Sequence, residues 1–156
     1  MADRRHIFIS HIHEDDGKLA DLKSLLARNG LEVRDSSINS SKPNGAENAE
    51  YIKYGILAPQ INWAGTFVVY VSQNTKDSPW VNWEIEYAAT QGMRIVGVWE
   101  RGAAGCELPA ALEEYRDALV GWHGNSIVNA IVAEQDLSEN PDGSSRPAVP
   151  LMRHPC

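Results

Sequence analysis

Short apolar runs alternate with amphipathic segments along most of the chain. Strand-like runs lie at residues 5–10, 31–35, 65–72, 94–100 and 118–122, and the run at 65–72 is apolar on both faces, as in a strand covered on both sides. The segments between these runs carry apolar residues at helical spacing. Strands that alternate with helices predict an α/β fold, with a parallel sheet covered by helices on both faces. Five strands favour a flavodoxin-like order, in which ligands bind where the strand order reverses, between the first and third strands.

Turn-forming residues mark the ends of the predicted helices. The Asn-Gly pair at residues 29–30 supplies a stop for the first helix. Ser78 can cap the third helix, Pro79 suits its first turn, and Gly92 can end it. Pro59 is expected to end or bend the second helix.

The length of 156 residues, 43% of them hydrophobic, suits one domain with a single core. We assign residues 1–135 to this domain. Residues 136–156 contain four prolines and few large apolar groups, so we expect a flexible C-terminal tail.

The charge and the cysteines narrow the class of protein. A net charge of −7 gives no overall attraction for nucleic acid. No apolar run is long enough to span a membrane, and the N-terminus shows no secretion signal. Cys106 and Cys156 provide neither a disulfide framework nor a zinc spacing, which suits a cytoplasmic protein.

The stretch "SHIHEDD" raises the possibility of a metal site, because His11, His13 and Asp15 match part of an H-x-H-x-D-H pattern. The final position is Asp16 rather than histidine, and few histidines follow later in the chain. We therefore expect no metal. The acidic pair also suits the first turn of a helix, where carboxylates are favoured by the helix dipole.

Other nucleotide and hydrolase motifs do not occur. The chain lacks a G-x-G-x-x-G turn, a P-loop and a G-x-S-x-G elbow. A phosphoacceptor receiver would need an Asp after strand three and a Lys after strand four, where Ser72 and Glu100 stand. Trp80 and Glu84 remain, four residues apart on one face of the third helix. They could serve a site between the loops that start at Ser10 and Ser72, or they could be a surface glutamate and a packing tryptophan.

Two stretches resemble a known family. "HIFISH" resembles the first box of TIR domains, and "SPWVNWEIE" resembles the box in which a Trp precedes a Glu by four residues. The longer string from "SHIHEDD" to "MRIVGVW" is similar to the bacterial TIR-like group of the Thoeris ThsB type, which acts in anti-phage defence. The resemblance implies a flavodoxin-like TIR fold with a five-stranded parallel sheet.

The resemblance also implies cleavage of NAD+ at the nicotinamide–ribose bond, with NAD+ as the substrate and no cofactor. Histidines follow the first strand where some NAD-cleaving TIR domains have arginines, which implies a weaker or pH-dependent grip on the pyrophosphate. Glu84 corresponds to the catalytic residue. The expected substrate-binding residues, placed by the resemblance or by the strand ends, are Ser10, His11, His13, Asp35, Ser72 and Trp80.

One carboxylate could suffice for this reaction. Nicotinamide leaves NAD+ as a neutral molecule and needs no acid, whereas the ribose that becomes cationic needs a negative charge beside it. Thoeris-like members make a cyclic or otherwise modified ADP-ribose, a diffusible signal that activates a separate effector. The loop from Ser36 to Gly45 corresponds to the segment through which TIR domains contact a neighbour. The alternative is a catalytically silent TIR-like interaction module.

Overall fold

The computed structural model describes residues 3–12, 17–35, 58–72, 75–100 and 108–141. Five strands and five α-helices alternate along these segments. The strands are β1 (Asp3–Ser10), β2 (Glu32–Asp35), β3 (Ala64–Val71), β4 (Arg94–Trp99) and β5 (Ala118–Val120). The helices are α1 (Ala20–Arg28), α2 (Ala58–Trp63), α3 (Pro79–Thr90), α4 (Ala110–Tyr115) and α5 (Gly124–Ile131), and a 3-10 turn (Thr75–Asp77) precedes α3.

All strand pairs are parallel, and the order in the sheet is β2-β1-β3-β4-β5. This confirms the predicted flavodoxin-like α/β fold. The strand order reverses between β1 and β3, where Ser10 pairs with Val69 at the carboxyl end of β1. The functional crevice of such a sheet is therefore expected above Ser10.

Two apolar layers enclose the sheet. Alternate residues of β1 point to opposite faces, so Ile7 and Ile9 pack with α1 and α5, whereas Phe8 packs with α2, α3 and α4. All eight residues of β3 are buried, as predicted for a strand covered on both faces. Ser10 has the same parity as Phe8 and thus faces the α3 layer.

The predicted stops of two helices are confirmed. After α1, Gly30 adopts φ +81° and the Leu31 N–H donates to the Leu26 carbonyl at 3.1 Å. After α3, Gly92 adopts φ +74°. At the start of α3, Ser78 Oγ accepts a hydrogen bond from the Val81 N–H at 3.2 Å.

Pro59 lies near the start of α2, as far as the structure describes this helix. The predicted helical residues before Ala58 lie outside the described residues. The expectation that Pro59 ends or bends a helix that includes them therefore stays a prediction.

The start of the predicted tail also needs correction. Leu137 and Glu139 run beside β5: the Leu119 N–H donates to the Leu137 carbonyl at 2.8 Å, and the Glu139 N–H donates to the Leu119 carbonyl at 2.7 Å. The indole N–H of Trp99 donates to the Glu139 carbonyl at 3.0 Å. Residues 136–141 are thus attached to the sheet, through backbone hydrogen bonds that a polar composition does not reveal. The rest of the predicted tail lies outside the described residues, and the domain boundary at 135 stays a prediction.

Within the described segments, no helix is long and apolar enough to cross a membrane.

Candidate active site

A glutamate occupies a core position of α3. The buried residues of this helix are Val81, Glu84, Ile85 and Ala88, which follow the spacing of a single helix face. Ser78 and Pro79 fix where the helix begins and therefore which residues face the sheet. Glu84 is thus carried into the interior by the same pattern that buries its apolar neighbours.

The side chain of Glu84 is hydrogen bonded to the last residue of β1. The Ser10 hydroxyl donates to Glu84 Oε1 at 2.5 Å, and both side chains are fully buried. The two residues are 74 positions apart in sequence. Their contact brings the α3 carboxyl to the reversal of strand order between β1 and β3, which is the predicted place of the site.

The environment of Glu84 favours its neutral form. Burial raises the pKa of this carboxyl from 4.5 to about 8, while the hydrogen bond from Ser10 opposes that rise. Among the described residues, Glu84 Oε2 has no hydrogen-bond partner although it is buried. At neutral pH the carboxyl is therefore mostly protonated, and a nearby positive charge would favour its ionisation.

The loop after β3 lies at the same end of the sheet. The Ser72 N–H donates to Thr75 Oγ1 at 2.8 Å, and the two hydroxyl oxygens are 3.1 Å apart. Thr75 is fully buried. Its hydroxyl shapes the loop that begins at Ser72, a role that the sequence analysis missed, although the spacing S-x-x-T is typical of side chains that stabilise turns.

The structure describes the side chains of only some of the other predicted site residues. His11 follows Ser10 and is 4% exposed, and Trp80 lies half-buried in the first turn of α3. Asp35 ends β2 and pairs with Ile9 of β1, so its backbone reaches the same edge of the sheet. The side chain of Asp35 and the whole of His13 lie outside the described residues.

An ion pair lies at the carboxyl end of the sheet, the end at which Ser10 and Glu84 also lie. Lys18, between β1 and α1, contacts Glu100, after β4, with 3.1 Å between Nζ and Oε2. The Glu100 N–H also donates to the Val71 carbonyl at 2.8 Å. Lys18 brings a cation to the carboxyl end of the sheet that the sequence analysis did not single out.

The described residues contain no group of three or more metal-ligating side chains close enough to hold an ion. The candidate ligands His13 and Asp15 lie outside this part of the chain. A cavity of about 390 Å³ opens at the opposite end of the sheet, beside Met93, Arg94 and Asp117 at the start of β4 and β5. It is therefore separate from Ser10 and Glu84.

Comparison with known proteins gives the family. The profile of the TIR-like domain of the Thoeris protein ThsB matches residues 8–104, which is more than half of the chain and includes Ser10 and Glu84. The chain belongs to the Thoeris ThsB TIR-like family.

Solved structures show the same fold. The TIR domain of the Toll-related receptor TRR-2 from Hydra magnipapillata is 17% identical, with a TM-score of 0.54, over 82% of this chain and 92% of that one. A putative pilus assembly-related protein from Burkholderia pseudomallei is 12% identical, with a TM-score of 0.51, over 85% of this chain and 92% of that one. At these identities the likeness concerns the fold alone. By sequence, no curated protein matches this ThsB-type chain.

Proposed function

We propose that this ThsB-type TIR domain cleaves NAD+ at the nicotinamide–ribose bond and makes a cyclic or modified ADP-ribose signal in anti-phage defence. The observation that carries the proposal is the buried Glu84 carboxyl at the β1/β3 reversal, with Oε1 hydrogen bonded to Ser10 and Oε2 unpaired among the described residues. A glutamate kept at a core position without full hydrogen bonding costs stability, which favours a role in chemistry over one in packing.

The charges on the substrate and on Glu84 explain how the nicotinamide–ribose bond would be cleaved. When the bond between ribose C1′ and the nicotinamide nitrogen breaks, its electron pair stays on nitrogen and nicotinamide leaves as a neutral molecule. The ribose becomes an oxocarbenium-like cation, which the ionised Glu84 carboxylate stabilises across a short distance in a site of low dielectric. Water or another part of the same molecule then forms the new bond at C1′ and gives up a proton.

The state of Glu84 sets two conditions for this reaction. The carboxyl must lose its proton, and the positive nicotinamide ring of the substrate favours that loss because opposite charges lower the pKa of an acid. The carboxyl must also become accessible, since Glu84 is fully buried here. The proposed enzyme therefore opens its crevice when it binds NAD+ and releases a proton from Glu84.

Residues around Glu84 supply the proposed binding surface. Trp80 lies one turn before Glu84, and His11 and Ser72 lie at the ends of adjacent strands. We propose that they contact NAD+ together with His13 and Asp35, and that the signal activates a separate effector. Contact with a neighbouring copy through the loop from Ser36 to Gly45 is part of the same proposal.

A nicotinamide assay separates the enzyme from the silent interaction module. The purified protein is incubated with NAD+, and free nicotinamide is followed by chromatography. The same analysis is applied to bacteria that express the chain and are infected with phage, so that a triggered activity is also detected. Nicotinamide and a modified ADP-ribose are expected. If neither forms under either condition, the enzymatic proposal is rejected in favour of the interaction module.

A further inference from the structure

The hydroxyl of Ser10 is committed to Glu84. It is fully buried at the last position of β1 and donates to Glu84 Oε1 at 2.5 Å. Ser10 is also an expected substrate-binding residue, but a hydroxyl that donates its proton to the carboxyl has no second proton for a substrate oxygen. The geometry therefore leaves Ser10 no role as a hydrogen-bond donor to the substrate while this bond is kept.

The two oxygens of Glu84 have different surroundings. Oε1 accepts the Ser10 hydrogen bond, whereas Oε2 has no partner among the described residues. A buried carboxyl oxygen is usually paired, because losing its hydrogen bonds to water is costly. A ribose hydroxyl that donates to Oε2 would supply the missing bond and would bring the sugar to the carboxylate.

We propose that Ser10 is a positioning residue, which holds Glu84 through Oε1 so that Oε2 is the oxygen presented to the ribose. This inference rests on the proposed function and goes beyond it by giving separate tasks to the two carboxyl oxygens. The side chain of Glu84 has three rotatable bonds, and a fixed Oε1 limits where Oε2 can lie.

The same hydrogen bond also affects the charge on Glu84. Burial raises the pKa of this carboxyl, and the bond donated by Ser10 opposes part of that rise by favouring the ionised form. Helix α3 packs against β1, β3, β4, α2 and α4. Other charged or titratable groups on or beside these elements include His6, His11, Arg94, Glu113 and Glu114. Among the side chains that the structure describes, Ser10 is the one that shifts the pKa of Glu84.

The test compares Ser10→Ala and Ser10→Thr with the full-length wild type. Ser10→Ala removes the hydroxyl, and Ser10→Thr keeps it. Thr66→Val is the matched control, because it removes a buried strand hydroxyl that has no partner among the described residues. Titration of the Glu84 side-chain carbon by NMR reports the ionisation directly and does not depend on turnover. Nicotinamide release measured against pH gives kcat and KM for the same proteins.

In Ser10→Ala the titration midpoint of Glu84 is expected to rise by about one pH unit, since one hydrogen bond to a charged group is lost. The positive nicotinamide ring of bound NAD+ lowers the pKa to which this shift is added, so at pH 7 the ionised fraction in the complex falls by up to tenfold. We expect kcat to fall by up to that factor while KM changes little. The acidic limb of the profile of kcat against pH moves to higher pH by the same amount. Ser10→Thr restores the midpoint and kcat, and Thr66→Val leaves both unchanged.

The outcomes separate this inference from the proposed function. An unmoved Glu84 midpoint in Ser10→Ala overturns the positioning role even when the wild type cleaves NAD+. A raised KM with an unchanged kcat in Ser10→Ala also overturns it, because this pattern identifies a substrate contact rather than an effect on the carboxyl. If the wild type releases no nicotinamide, the proposed function fails, and the NMR titration alone decides whether Ser10 holds the carboxyl.

Discussion

Replacing Glu84 with Gln should change how the stability of the protein depends on pH. Glutamine keeps the shape of the side chain and can stay hydrogen bonded to Ser10, but it carries no titratable proton. The wild-type carboxyl has a pKa of about 8 in the folded chain and 4.5 as its ordinary value. Well below pH 4.5 both the folded and the unfolded chain hold the proton, so this group adds no pH dependence to the stability there.

As the pH rises above 4.5, the unfolded chain loses this proton before the folded chain does. The free energy of unfolding therefore falls until the pH passes 8. At about 1.4 kcal/mol for each pKa unit, the full effect is about 5 kcal/mol. About 4 kcal/mol of it develops between pH 5 and pH 9. The free energy of unfolding of Glu84→Gln, relative to wild type, should therefore increase by about 4 kcal/mol over this range.

Urea denaturation at pH 5, 7 and 9 measures this difference, with tryptophan fluorescence and far-UV circular dichroism as probes. Titratable groups common to both proteins cancel in the comparison. Glu86→Gln is the matched control, because Glu86 is an exposed glutamate on the same helix, and its curve should follow wild type. If the difference between Glu84→Gln and wild type stays constant within about 1 kcal/mol from pH 5 to pH 9, the pKa of Glu84 is not raised in the folded chain.

Three further predictions concern the elements that build the site. Gly97→Ala should lower the free energy of unfolding by about 1–3 kcal/mol in urea denaturation, because a Cβ at this position would lie 2.8 Å from Leu119 Cδ1; an unchanged midpoint would contradict this packing. Ending the chain after residue 135 should lower the free energy of unfolding by on the order of 3 kcal/mol, because the hydrogen bonds to β5 and Trp99 are lost. Ending it after residue 141 should lower it far less, and equal stabilities of the two truncated chains would show that residues 136–141 contribute nothing. Ser78→Ala should cost about 1 kcal/mol by removing the cap of α3, whereas Ser78→Asp should keep most of the stability, and equal losses in both variants would argue against capping.

The sheet could be predicted because its pattern is local. Apolar runs of strand length, separated by helical spacing, are sufficient to suggest a parallel sheet, and the all-buried run at 65–72 marks its centre. The stops at Gly30 and Gly92 follow from the freedom of glycine at positive φ.

The details of the site could not be predicted because they depend on contacts between distant residues. The motif around Trp80 and Glu84 pointed to a catalytic glutamate, but its complete burial and its hydrogen bond to Ser10 depend on how α3 packs against β1. The sequence left open whether Glu84 is buried, because a surface position fitted the helical spacing equally well. The attachment of residues 136–141 uses backbone groups, which composition does not reveal.

The catalytic role of Glu84 is tested by the rate of nicotinamide release from wild type, Glu84→Gln and Glu86→Gln, under conditions in which circular dichroism shows all three to be folded. We expect release by wild type and Glu86→Gln, and a loss of at least about 100-fold in Glu84→Gln, because the charge that stabilises the ribose cation is gone. A folded Glu84→Gln protein that releases nicotinamide at the wild-type rate would contradict this role.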